Sequence, residues 1–119
     1  MVSQPSDRRD EPVYDLDRVR ELAGKGQVIF AGKKRDAGTK VEQNAEDLGY
    51  SPDDVFACIA SLQPEEFDES LLYPGEKFWQ DVYKCRRTAP GGEVDELYLK
   101  LKLTRNALTV VLQSFHRDR

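Results

Sequence analysis

The chain has 119 residues, 39% apolar and 34% charged, with a formal net charge of −4. That is the size of one domain able to bury a core without metal or disulfide staples, and no apolar run, ALTVVL at 107–112 included, is long enough to span a bilayer. With one His, and two cysteines, Cys58 and Cys85, 27 positions apart without a CxxC, zinc-type spacing is excluded.

The opening MVSQPSDRRDEP is polar and has no apolar signal core, so residues 1–13 are expected to be a disordered tail ahead of a single soluble, cytoplasmic domain spanning 14–119. A first helix follows. Asp15 can cap it, Tyr14 can staple onto Val19, Leu16, Val19, Leu22 and Ala23 form its apolar stripe, and Gly26 suits its stop. Glu21 and Lys25 add an i,i+4 pair. VIF at 28–30 reads as a short strand, and AGKKRDAG at 31–38 as a basic surface loop. That loop is not a phosphate-binding P-loop, because Gly38 is followed by Thr39 and only then by Lys40.

Thr39 and Glu42 form a capping-box pattern for a second helix, with Val41, Ala45 and Leu48 on one face and Gly49 at its end. Ser51-Pro52-Asp53-Asp54 opens a third, which turns Val55, Phe56, Ile59 and Ala60 inward and makes Cys58 a small buried residue. Pro64 starts another helical turn, and YPG at 73–75 ends the helical period. From there the period is two: strands are predicted at 78–87, at 97–103 (LYLKLKL) and at 107–115 (ALTVVLQSF). Helices first and a meander after predict an α+β fold, with N-terminal helices packed on one face of a C-terminal antiparallel sheet.

Leu97, Leu99, Leu101 and Leu103 alternate with Tyr98, Lys100 and Lys102, so the leucines face the core and the others line the opposite face. In FWQDVYKCR the same alternation sets Gln80, Lys84 and Arg86 apart from Trp79, Asp81 and Tyr83. If the neighbouring strands share the open face, it receives Gln80, Lys84 and Arg86 from one side and either Ser114 with His116, or Gln113, from the other. Such a face is basic and nearly free of carboxylates. Residues 1–76 carry 9 Lys/Arg against 17 Asp/Glu, whereas residues 77–119 carry 9 against 5, so the basic end is the candidate for a polyanionic partner. Cys85 lies between Lys84 and Arg86, a setting that lowers a thiol pKa, but with no base beside it in sequence it is given no catalytic role.

With WQDVY at 79–83, YLK at 98–100 and SF at 114–115, joined by GQV at 26–28 and LG at 48–49, the chain resembles the MqsR family of type II toxins over residues 14–116. The resemblance implies a RelE-like fold and a metal-independent, sequence-selective endoribonuclease. Such an mRNA interferase cuts single-stranded mRNA, inhibits translation, uses no cofactor and is held inactive by a cognate antitoxin. Carried over residue by residue, the family's implicated Gln falls on Gln80 and its Tyr on Tyr98. Where the family commonly has lysines, this chain has Glu69 and His116, and Lys77 lies near enough in the chain to replace one of them.

Metal-free RNA cleavage needs a base for the ribose 2′-OH, cations for the crowded phosphorane and an acid for the leaving 5′ oxygen. Lys84, Arg86, Lys100 and Lys102 can hold phosphate charge, and Gln80 and Tyr98 can hydrogen-bond the phosphate or orient the base. His116 can exchange protons near neutral pH. The alternative is a toxin-fold module that binds an antitoxin or RNA without cutting.

Overall fold

The predicted helices form where their cap residues stand. The computed structural model describes residues 4–32 and 38–118, so residues 33–37 of the expected basic loop lie outside the described residues. Asp15 caps helix α1 (Leu16–Gly24) by accepting from the Asp17 N–H, and the helix buries Val19, Leu22 and Ala23. Gly26 follows at φ +74°, a conformation open to glycine, and its N–H donates to the Ala23 carbonyl. The expected capping box starts helix α2 (Lys40–Asp47): the Glu42 N–H donates to the Thr39 hydroxyl, and the Thr39 N–H donates to the Glu42 carboxylate. Ser51 and Asp54 repeat it for helix α3 (Pro52–Ala60), which buries Val55, Cys58 and Ile59.

Among the described residues six strands, β1 (Asp7–Arg9), β2 (Val28–Phe30), β3 (Phe67–Leu72), β4 (Gln80–Thr88), β5 (Val94–Leu103) and β6 (Val110–Arg117), make one sheet in the order β1-β3-β4-β5-β6-β2. The helices cover one face of it. Leu97, Leu99, Leu101 and Leu103 of β5 point there as expected, joined by Tyr83 and Cys85 of β4 and Phe115 of β6 against Val19, Leu22, Val55 and Ile59.

Three expectations change. The turn at Pro64 is a three-residue 3-10 segment (Pro64–Glu66), and β3 then begins at Phe67, where helical structure was expected to last until the break at 73. FDESLL has no apolar stripe to hold a helix, whereas pairing with the longer β4 satisfies its backbone and buries Ser70 and Leu71. Within the segment expected to be a tail, Asp7–Arg9 pairs antiparallel with β3, and the Ser6 N–H donates to the Leu72 carbonyl. The open edge of β3 supplies the partners that the short polar stretch could not find alone. Finally the sheet is mixed, because β2 runs parallel to β6 while the other pairings are antiparallel.

Asp81 anchors the segment that leads into α1. Fully buried, it accepts from the Val13 N–H at 3.1 Å and from the Tyr14 N–H at 3.0 Å. Burial raises its carboxyl pKa against the pull of those two bonds. A carboxyl whose pKa is higher folded than unfolded loses stability as pH rises from its unfolded value, about 3.9, through its folded one. Asp81→Asn keeps an acceptor and cannot ionise, so its stability relative to wild type is expected to improve as pH rises across that window. Asp81→Ala orphans both N–H groups and is expected to cost about 2–4 kcal/mol at neutral pH. Urea unfolding at several pH values measures both, and an Ala variant as stable as wild type would refute the anchoring role.

Candidate active site

Residues opposite one another in paired strands point to the same side of a sheet, so the register arranges the open face into rows. One row runs Lys84, Tyr98, His116 across β4, β5 and β6. The next runs Glu69, Val82, Lys100, Ser114 across β3, β4, β5 and β6. A third runs Arg8, Leu71, Gln80 across β1, β3 and β4. The register thus selects Ser114 with His116, not Gln113, as the β6 contribution. A bulge between Phe67 and Glu69 sets Glu69 opposite Val82, and another between Lys100 and Leu101 sets Lys102 opposite Val111. Val82, Leu71 and Val111, all buried, floor this face.

The Tyr98 and His116 rings stack at 4.7 Å with 9° between their planes. Burial pushes the Tyr98 hydroxyl up to about 12, with Tyr73, Glu69, Asp68 and Asp118 adding to the shift. At neutral pH it is therefore a hydrogen-bond donor. His116 Nδ1 lies 2.8 Å from the Arg117 carbonyl oxygen. A carbonyl only accepts, so Nδ1 carries a proton there, and Nε2 has no protein partner among the described residues.

Lys100 donates to the Tyr73 hydroxyl at 2.9 Å and lies 4.6 Å from the centre of that ring. Lys102 sits 3.3 Å from the centre of the Phe78 ring. Lys77 and Lys102 line one cleft of about 500 Å³ together with Tyr14, Phe78 and Arg105. Gln80 is on the expected face but only 4% exposed.

The expected scarcity of carboxylates on this face is corrected. Arg8 donates to Glu69 at 2.7 Å, Lys84 lies 3.7 Å from Asp68 and 3.8 Å from Asp118, and Arg86 lies 2.7 Å from Glu96. Strand β3, read as helical, delivers Asp68 and Glu69, and the end of β6 leads to Asp118. The exposed pairs of Lys84 and Arg86 are worth about 0–1 kcal/mol each, so a phosphate can displace them. Two further residues reach this face without a local pattern to mark them: Arg8, in the expected tail, and Tyr73, at the expected chain break.

The cysteines stay outside this chemistry. Burial pushes the Cys85 thiol up to about 12 and Cys58 up to about 11. The expected lowering by Lys84 and Arg86 fails because Cys85 points into the core, away from both. Among the described residues, no three His, Cys, Asp or Glu side chains group so as to hold a metal ion.

A family model described as motility quorum-sensing regulator, toxin of MqsA, matches residues 11–117. The chain belongs to the MqsR toxin family. Compared with curated proteins one by one, it has no significant match. MqsR membership makes the chain the toxin of a toxin–antitoxin pair and implies an antitoxin partner. The α+β architecture agrees with that family, and no helix among the described residues is long and apolar enough to cross a membrane.

Proposed function

We propose that this MqsR-family toxin is a metal-independent endoribonuclease that cuts single-stranded mRNA on the open face of its sheet, acts in the cytoplasm and so inhibits translation until its antitoxin binds. The observation that carries this reading is the Tyr98–His116 stack beside Lys100. A protonated phenol, an imidazole with one unengaged nitrogen and an ammonium stand in adjacent rows over an apolar floor. These groups can hydrogen-bond a phosphate, exchange a proton and hold the added negative charge of a pentacoordinate phosphorane. Lys77, Lys84, Arg86 and Lys102 surround them as cations for the flanking phosphates of the strand, and Gln80, buried beside Leu71, borders the site from below.

A second reading is favoured by the carboxylates: Arg8, Lys84 and Arg86 are all engaged in ion pairs, as suits a module that binds antitoxin or RNA without cutting. One experiment separates the two. Purified toxin, freed of antitoxin and incubated with unstructured RNA in EDTA, is expected to cut it and leave 2′,3′-cyclic phosphate and 5′-hydroxyl ends. Binding without cutting would favour the second reading. Cutting that disappears in EDTA and returns with a divalent ion would overturn the metal-independent mechanism.

A further inference from the structure

Resting on the RNA-cleaving reading of the open face, we propose that Glu69 is the general base and His116 the general acid of the cleavage step. In strand order Tyr98, on β5, lies between the two, with Glu69 on β3 and His116 on β6. Three strand spacings of about 4.8 Å separate the backbones of β3 and β6, leaving room for a phosphodiester between the two side chains. Glu69 and Tyr98 occupy neighbouring rows, and the negative charge of Glu69 contributes to keeping the Tyr98 proton in place. A carboxylate and an imidazole thus flank the group best placed to hold the phosphate.

Each side chain has one polar atom engaged and one left for the substrate. The Glu69 side chain is 28% exposed, beside Val82, which is fully buried. Arg8 holds Oε1 at 2.7 Å, and Oε2 has no hydrogen-bond partner among the described residues. Arg8 is thereby a positioning residue, brought to the site by the pairing of β1 with β3. The contact of His116 with the Arg117 carbonyl leaves Nε2 as the nitrogen that gives up a proton.

In the step itself, the 2′-OH proton passes to Glu69 Oε2 as the 2′ oxygen bonds to phosphorus. The bond from phosphorus to the 5′ oxygen breaks, and that oxygen takes the proton of His116 Nε2. The products are a 2′,3′-cyclic phosphate, a 5′-hydroxyl, a glutamic acid and a neutral imidazole, and exchange with water restores both side chains. Tyr98 donates to a non-bridging oxygen while Lys100 offsets its charge.

The test uses an oligoribonucleotide carrying a site first mapped with the wild-type protein, made with either oxygen or sulfur as the bridging 5′ atom. A thiolate leaves without needing a proton, so the sulfur substrate bypasses a general acid but still needs a base. His116→Ala is expected to lose about 100-fold in single-turnover rate on the oxygen substrate and less than about fivefold on the sulfur one. Glu69→Gln is expected to lose about 100-fold on both, with Glu69→Asp, which keeps the carboxylate, at least about tenfold faster than Gln. Equal losses for His116→Ala on the two substrates, or Glu69→Gln within about threefold of wild type, would overturn the assignment while leaving the nuclease reading intact. A wild-type protein that cuts no RNA would remove both.

Discussion

Tyr98→Phe is expected to lower the single-turnover rate of RNA cleavage by about 100-fold while RNA affinity changes by less than about threefold. The substitution removes one oxygen and leaves the ring, so the stack on His116 at 4.7 Å and the packing beneath it survive. What is lost is a donor that burial keeps protonated, its pKa pushed up to about 12. A hydrogen bond that strengthens as charge builds on the phosphorane affects the rate more than the ground-state complex. Lys102→Ala in the same assay should do the opposite. Lys102 sits over Phe78 at the border of the face, so its loss should mainly weaken binding and reduce the slope of log affinity against log salt by about 0.7. Rates and affinities falling together in both variants would make the face a binding surface only.

Phe115→Ala is expected to lower the unfolding free energy by about 3–5 kcal/mol, measured by urea denaturation. Phe115 is fully buried on β6, opposite Leu99, and meets the Tyr50 ring edge-on at 5.3 Å. The Tyr50 hydroxyl is fixed in turn by a 3.1 Å hydrogen bond to Asp95, so this ring cannot easily move in to fill the space. A rigid lining keeps the cavity open, which puts the cost at the high end for such truncations. Leu108→Ala, at a side chain 54% exposed in the turn before β6, should change stability by less than about 0.5 kcal/mol. A loss below about 1 kcal/mol for Phe115→Ala would show that the sheet and helices do not close around this ring as described.

The two variants differ in what the sequence says about them. The alternation of four leucines with Tyr98, Lys100 and Lys102 can be read from the chain, because side-chain direction in a strand has a period of two and needs no partner to define it. The caps at Asp15, Thr39 and Ser51 are equally local, since each bond spans two or three residues. These features determined the helices, the core face of β5 and the composition of its open face.

The rest depended on residues far apart in the chain. FDESLL and Asp7–Arg9 carry no periodic apolar signal of their own, and they become strands only because β4 offers an edge to β3 and β3 then offers one to β1. Arg8 meets Glu69 across 61 positions, and Asp81 holds Val13 across 68. The choice of Ser114 and His116 over Gln113 was made by a bulge in the β5–β6 register, which alternation within one strand does not specify. Local spacing therefore determined which side chains could share a face, while pairing between strands decided which of them meet, because backbone hydrogen bonds set register only once both partners are in place.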